Sequence, residues 1–383
     1  MTDQLKILML SAEITPFAKT GGLADVVGAL PKALHALGHD VRVVMPRYGR
    51  IDPAQFKLQK ALDPFPVPLD STTEDATLFE GELAPGIPAY FVENKRLYDR
   101  EGIYMYPDDA ERFIFFARAA LEMLKRLNWQ PDVIHCHDWH TALIPNWLRT
   151  IYAADAFFAN SATVFTIHNI QYQGIFGYRV LEIAGLAAYG FIAHPDVAPE
   201  INQVFDFMAR GILFSDIINT VSETYAREIT TPEFGAGLDA LLRYRGNGLT
   251  GIINGLDTDE FNPATDRRLA ARYDRTRPEG KYANKVSLQR RLNLTENAET
   301  PVIGMVSRLD EQKGFDILGP VLDRLCSRDI QFVVLGRGRE RYETMIRDAA
   351  TRHPGKIGAV VDFAEDLAPL LYAGCDIFLM PSK

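Results

Sequence analysis

The segment KTGGLADVVGALPKAL, residues 19–34, places a cation and two glycines directly before an amphipathic run. Gly21 and Gly22 leave backbone N–H groups unblocked at the start of a predicted helix, where the helix dipole favours anions. Lys19 adds a positive charge that could meet a phosphate or a developing negative charge. The spacing matches neither GxGxxG nor a Walker loop, so the segment predicts either an anion site or a bare glycine turn.

A second segment, HCHDWHTAL at residues 135–143, concentrates histidines around one acidic residue. His135 and His137 share one face of a predicted strand, with Asp138 and His140 just beyond it. A metal cluster is one interpretation, but HExxH is absent and histidines within a buried apolar strand are often hydrogen-bonded core residues. Asp138 follows the carboxyl end of the strand, where α/β proteins place ligand-binding residues. The sequence therefore favours substrate contact by Asp138, and no metal is expected.

The segment TVFTIHNIQYQGIFG, residues 163–177, repeats this arrangement on another predicted strand. His168 and Asn169 follow an apolar run and fall at the same carboxyl edge. Their donors and acceptors suit sugar hydroxyl groups. The alternative is a loop that hydrogen-bonds to itself through Asn169 and Gln171.

The segment GMVSRLDEQKGFD, residues 304–316, carries two cations between a predicted strand and a helix. Arg308 offers a fork of donors and Lys313 a point charge, a pair suited to a diphosphate. The alternative is that both are solvent-exposed surface residues that bind no ligand. Gly336 closes the neighbouring strand, where a glycine lets the backbone approach a ligand.

Alternating strands and helices are predicted to hold these four segments in place. Apolar runs at residues 6–11, 40–46, 133–136, 163–167 and 217–221, with amphipathic helices between them, predict a parallel sheet. Residues 56–92 are predicted to form a hairpin excursion in place of a βα unit. The Arg- and Lys-rich residues 251–297 are predicted to be a solvated linker. The alternation restarts at 301 and ends in a strand at 376–381. We predict two doubly wound α/β domains, 1–250 and 251–383, the second incomplete because only about 85 residues follow the linker.

Composition excludes several classes of protein. The net charge of −9 over 383 residues argues against nucleic acid or an anionic membrane as the main partner. Cys136, Cys326 and Cys375 are widely spaced with no CxxC pair, which fits a reducing compartment. We find no signal peptide and no stretch of about 18 uncharged apolar residues. The expectation is a cytoplasmic protein.

Six motifs together resemble the bacterial glycogen synthases and plant starch synthases. They are KTGGLADVVGALPKAL, HCHDWHTALIP, FTIHNIQYQGIF, TVSETYAREI, IINGLDTDEFNP and SRLDEQKG, in family order over essentially the whole chain. The resemblance implies a GT-B fold, in which two Rossmann-like domains face a cleft. It also implies transfer of glucose from ADP-glucose to the non-reducing end of an α-1,4-glucan, with retention of configuration and with neither a cofactor nor a metal.

The resemblance also implies roles for individual residues. Catalytic roles fall to Asp138 and His168, which would hold the glucose, and to Arg308 and Lys313, which would neutralise the leaving diphosphate across the cleft from Lys19. The other implied contacts with donor or acceptor are Lys19, Gly21, Gly22, Asp25, Tyr104, Asn169, Asn254, Gly336 and Phe363. There are two departures. Asp362-Phe363 stands where the family usually has a glycine-tyrosine pair, and the sequence stops at MPSK, before the family's glutamate.

Other functions stay open on the sequence alone. One alternative is a catalytically inactive fragment that binds glucan or nucleotide, because the segment carrying the glutamate is not in the sequence. Another is a related nucleotide-sugar transferase with a different acceptor. A metal hydrolase built on the histidines at 135–140 is a more distant alternative.

Overall fold

The computed structural model describes residues 4–69, 72–191, 204–362, 364 and 366–382. The chain divides into two compact units, Met1–Leu256 and Asp257–Lys383. Both units are built on parallel β-sheet, which confirms the predicted α/β class.

The first unit follows the predicted alternation of strands and helices. Its strands are β1 (Lys6–Leu10), β2 (Asp40–Pro46), β3 (Gln59–Leu69), β4 (Thr72–Ala84), β5 (Ile87–Glu93), β6 (Val133–His137), β7 (Ala162–Ile167), β8 (Ile175–Phe176), β9 (Phe205–Asp206), β10 (Ile217–Thr220) and β11 (Leu249–Gly251). Its helices are α1 (Gly22–Ala36), α2 (Lys95–Tyr98), α3 (Asp109–Arg126), α4 (Leu143–Arg149), α5 (Tyr178–Ile183), α6 (Phe207–Phe214), α7 (Glu223–Glu228) and α8 (Asp239–Arg245). The helix predicted around 202–214 begins at Phe207, and residues 202 and 203 lie outside the described residues.

Nine of these strands form one sheet in the order β11-β10-β7-β6-β1-β2-β5-β4-β3. The central strand β1 is continuously apolar and buried after Lys6, as expected for a parallel strand covered on both faces. The antiparallel pair β3–β4 extends the edge next to β5, which confirms the predicted hairpin excursion. Because β1, β6, β7 and β10 run in parallel, their carboxyl ends meet at one edge.

The second unit carries a smaller sheet, in the order β14-β13-β12-β15. Its strands are β12 (Val302–Val306), β13 (Gln331–Leu335), β14 (Ile357–Val360) and β15 (Ile377–Phe378), all parallel to their neighbours. Its helices are α9 (Gly280–Arg291), α10 (Phe315–Cys326), α11 (Glu340–Arg352) and α12 (Leu367–Gly374). Two apolar clusters pack on this sheet, one around Phe315 and Ile346 and the other around Leu288 and Leu371. The last strand is much shorter than the predicted 376–381.

The basic segment 251–297 is not simply a solvated linker, so that interpretation was wrong in part. It contains α9, which buries Leu288 in a core cluster and packs against α12. The Lys285 ammonium lies 2.8 Å from an Asp376 carboxylate oxygen and donates to the Ala298 carbonyl at 2.7 Å. The periodicity was hard to recognise because polar residues such as Asn284 occupy buried positions, where the side chain satisfies backbone groups of the preceding loop.

Candidate functional site

Strands β6 and β7 bring Asp138 and His168 together at the carboxyl edge of the sheet, where the sequence predicted each of them to lie. The two strands pair in parallel register, with His137 opposite Thr166, so the residues that follow them leave the sheet side by side. A carboxylate oxygen of Asp138 accepts a hydrogen bond from the His168 backbone N–H at 2.8 Å. Asp138 itself has a left-handed backbone with φ 55°. An aspartate in this strained conformation at a strand end is typical of a functional position.

Burial raises the pKa of Asp138 to about 7, and the nearby charge of Glu13 acts in the same direction. The backbone N–H groups of His168 and Asn169 oppose this shift by hydrogen bonding to the carboxylate. The group therefore changes protonation near neutral pH, which is unusual for an aspartate and is common at active sites.

We expect Asp138 to make the unfolding free energy fall as the pH rises from about 4 to about 7. The folded state keeps the proton over this window while the unfolded carboxyl has lost it, a contribution of about 4 kcal/mol. In Asp138→Asn this contribution is absent, so the stability difference between variant and wild type should change with pH. Urea unfolding of both proteins at pH 5 and pH 8 measures this stability difference. Tryptophan fluorescence reports unfolding of the first unit, because Trp129, Trp139 and Trp147 all lie there. A pH-independent difference would contradict the assignment.

Three histidines form a contiguous row at this edge, of which His135 and His137 are buried. The rings of His135 and His137 stack with centroids 4.1 Å apart, and Nδ1 of His137 lies 2.9 Å from Nε2 of His168. Nε2 of His135 lies 2.6 Å from the Thr166 hydroxyl, which donates to Asn219 at 2.5 Å. Burial lowers the pKa of His135 to about 4 and that of His168 to about 3, so both rings are neutral near pH 7.

His168 is only partly buried, and its Nδ1 has no hydrogen-bond partner among the described residues. A neutral imidazole with one nitrogen held by His137 can present the other to a ligand. His140 is different: its ring packs among Tyr104, Phe113 and Trp139, with a pKa lowered to about 3 by burial. His140 therefore belongs to the aromatic core.

The glycine turn before α1 is held by a residue that the sequence analysis missed. The buried Glu13 carboxylate accepts hydrogen bonds from the backbone N–H groups of Thr20 and Gly21, the second at 3.0 Å. Lys19 forms a 2.6 Å ion pair with Asp25, with each side chain more than a third exposed. The Lys19 charge is thus partly balanced within the turn, and such an exposed pair contributes little stability.

Neither glycine of this turn is required by the packing of the protein. A Cβ atom built on Gly21 or Gly22 would meet no atom within 4 Å, and neither residue has a positive φ. Gly28 in the same helix is different, because a Cβ there would lie 2.7 Å from the Thr15 carbonyl oxygen. The space above Gly21 and Gly22 is therefore open to a ligand.

The Tyr104 side chain is partly buried beside Glu13 and the glycine turn. Its hydroxyl donates to the second oxygen of the Glu13 carboxylate at 2.6 Å, and burial raises its pKa well above the usual range. Asn254 lies elsewhere, in an exposed segment after β11. The structure thus groups Tyr104 with the glycine turn through Glu13.

In the second unit, the loops after β12 and β13 are joined by backbone hydrogen bonds. Leu309 donates to the Arg337 carbonyl at 2.8 Å and accepts from Arg339 at 2.8 Å. A Cβ on Gly336 would lie 1.9 Å from the Ser307 carbonyl oxygen, so only glycine allows this approach. The sequence had attributed this glycine to a ligand, whereas the structure gives it a packing role.

Arg308 and Lys313 lie on the loop after β12, at the carboxyl edge of the second sheet. The Arg308 guanidinium is 3.4 Å from the Gln312 side-chain oxygen, and Lys313 ends the 3-10 helix Glu311–Lys313. Lys313 is partly exposed, with no side-chain hydrogen bond or ion pair to any described residue. Phe363, the expected contact for the base, falls outside the described residues.

Metal-binding clusters and membrane-spanning helices are both absent from the described residues. Across the part of the chain that the structure describes, no group of three or more His, Cys, Asp or Glu side chains is arranged to hold a metal ion. Within the same residues, no helix has the length and apolar character needed to cross a bilayer.

The signals that could have revealed the missed residues are faint. Glu13 is a lone acid in SAEITPFAKTGG, and only its place just after a buried strand sets it apart. Thr166 alternates with apolar residues inside β7, and nothing in the sequence shows that its hydroxyl meets His135.

Comparison with known proteins gives consistent matches over both units. Residues 6–244 match the starch synthase catalytic domain family, and residues 300–383 match the glycosyl transferases group 1 family. A glycogen synthase of Desulforudis audaxviator is 47% identical over 99% of this chain and 77% of its own length. A glycogen synthase of Moorella thermoacetica is 46% identical over the whole chain and 77% of its own length.

A solved structure matches as well. The catalytic domain of starch synthase IV from Arabidopsis thaliana, bound to ADP and acarbose, superposes with a TM-score of 0.91 at 31% identity, over 99% of this chain and 78% of that one. This match confirms the GT-B fold class predicted from the motifs.

Proposed function

The chain belongs to the family of starch and glycogen synthases and is a glycosyltransferase, and we propose that its donor is ADP-glucose and its acceptor the non-reducing end of an α-1,4-glucan. Glucose is transferred with retention of configuration. The ADP and acarbose of the matched starch synthase IV structure support a nucleotide donor and a glucan-like acceptor.

The observation that carries the proposal is the pairing of Asp138 with His168 at the carboxyl ends of β6 and β7. In this proposal Asp138 fixes the backbone of His168 and Asn169, and the open Nδ1 of His168 contacts a glucose hydroxyl. The neutral ring suits this role, since a neutral imidazole nitrogen can exchange a hydrogen bond with a hydroxyl group at neutral pH.

We assign phosphate contacts to two sets of cations, one in each unit. In the first unit, Lys19 beside Asp25 contacts the donor phosphates while Gly21 and Gly22 leave room for them. In the second unit, Arg308 and Lys313 stabilise the negative charge that develops as the diphosphate leaves, which is where prepositioned cations lower a barrier most. The remaining proposed contacts are Tyr104, Asn169, Asn254, Gly336 and Phe363, of which Gly336 has the weakest claim because its packing role already explains it.

We expect Gly22→Ala to raise the KM for ADP-glucose about 10-fold or more while leaving the melting temperature unchanged. A methyl group meets no protein atom there, so any loss must come from the ligand. Gly28→Ala is the matched control in the same helix: its Cβ clashes with the Thr15 carbonyl, so it should lower the melting temperature. An unchanged KM in Gly22→Ala would favour the bare glycine turn.

A donor panel tests the proposal as a whole. The full-length protein is assayed with ADP-, UDP- and GDP-glucose at equal concentrations and with glycogen as acceptor, following release of the nucleoside diphosphate. We expect the highest kcat/KM with ADP-glucose. A clear preference for UDP- or GDP-glucose would overturn the donor assignment and leave the transferase assignment standing.

A further inference from the structure

The carboxylate of Glu13 is buried next to the glycine turn of the first unit. The residue is 4% exposed, and both of its oxygens accept hydrogen bonds. One oxygen accepts from the Tyr104 hydroxyl at 2.6 Å, and the other from the backbone N–H groups of Thr20 and Gly21. A single side chain after β1 therefore joins two loops that are far apart in sequence.

The two loops differ in how well they are fixed by their own residues. The glycine turn has no side-chain cap of its own, since Gly21 occupies the N-cap of α1. Two successive glycines give such a turn wide conformational freedom. The loop around Tyr104 is anchored instead: the buried Arg112 donates to the Ile103 carbonyl at 2.9 Å, and Asp109 accepts from the Met105 N–H at 2.8 Å.

We propose that Glu13 is a positioning residue that holds the glycine turn in its ligand-binding geometry and sets it in register with Tyr104. The carboxylate does for this turn what an N-cap side chain does for other helices, because it satisfies backbone donors at the helix entrance. It accepts from the N–H groups of Thr20 and Gly21, and no described side chain caps the helix start at Gly22 and Leu23. This inference rests on the proposed function, in which the turn receives the donor phosphates.

Glu13→Ala and Glu13→Gln separate positioning from general stability. Alanine removes all three hydrogen bonds. Glutamine can keep them, since its amide oxygen can accept from Thr20 and Gly21 while its NH₂ donates to the Tyr104 oxygen. We expect Glu13→Ala to raise the KM for ADP-glucose about 10-fold or more, with a smaller effect on kcat, and Glu13→Gln to stay within about 3-fold of wild type. Glu82→Ala, on the exposed side of β4, is the control acid substitution.

Tyr104→Phe completes a double-mutant cycle. If the Tyr104 hydroxyl acts through Glu13, then Tyr104→Phe should have an effect in the wild type and little further effect in Glu13→Ala. Fully additive effects, or equal damage from Glu13→Gln and Glu13→Ala, would overturn the proposal.

Amide hydrogen exchange tests the geometry without depending on turnover. The peptide that contains Thr20 and Gly21 should exchange faster in Glu13→Ala and at the wild-type rate in Glu13→Gln and Glu82→Ala. Unchanged exchange in Glu13→Ala would overturn the proposal whatever the kinetics show. Failure of the proposed function would be seen separately, as wild-type protein that does not turn over ADP-glucose while the exchange pattern holds.

Discussion

Lys313→Ala, and independently Arg308→Ala, is expected to lower kcat with ADP-glucose by about 10²-fold or more. The leaving diphosphate gains negative charge in the transition state, and a preorganised cation there is typically worth that much. Lys313 suits the role because it is partly exposed and makes no side-chain ion pair within the described residues, so no internal partner competes for its charge. Steady-state kinetics over a range of ADP-glucose concentrations give the measurement.

Arg347→Ala is the matched control for these two substitutions. Arg347 lies on α11 in the same unit and pairs with Glu343 at 3.1 Å on the surface, so its loss should leave kcat unchanged. If Lys313→Ala and Arg308→Ala both keep wild-type kcat and KM, the diphosphate assignment is wrong and the two cations are surface residues.

His168→Ala is expected to lower the rate of glucose transfer by about 10²-fold or more while the protein remains folded. The substitution removes Nδ1 of the partly exposed His168 ring, a nitrogen that no described residue holds by a hydrogen bond. Phe165 and Ile167 keep β7 in the core, and Asp138 still accepts from the backbone N–H of residue 168. ADP binding measured by calorimetry should persist, because the proposed phosphate contacts lie on other loops.

His353→Ala serves as the control for the loss of an imidazole. His353 pairs with Asp323 at 2.8 Å on the surface of the second unit and should be replaceable without kinetic effect. A His168→Ala protein that is fully active, or one that is unfolded by circular dichroism, would instead favour a structural role for His168 in the histidine row.

The sequence predicted the arrangement at the sheet edge because parallel topology places strand ends together. Once the runs at 133–136 and 163–167 were recognised as strands of one parallel sheet, Asp138 and His168 had to emerge at its carboxyl edge. The hairpin excursion of β3 and β4 was equally visible, from alternating short runs interrupted by prolines.

Other features depend on contacts that no local pattern encodes. Glu13 meets Tyr104 only because the fold brings together residues 91 positions apart. Helix α9 was missed since its buried face includes Lys285, whose charge is balanced by Asp376 from a distant loop. The ion pair of Lys19 with Asp25 was also unforeseen, although both residues had been selected as ligand contacts.

Extension of a short α-1,4-linked maltooligosaccharide tests whether the protein is an α-1,4-glucan synthase. Full-length protein is incubated with ADP-glucose and the oligosaccharide, and the products are followed by mass spectrometry and by digestion with an α-glucosidase. We expect a ladder of products that grow by single hexose units, that the α-glucosidase degrades, and whose added hexose equals the ADP released. Release of ADP with free glucose and no longer chains would contradict it.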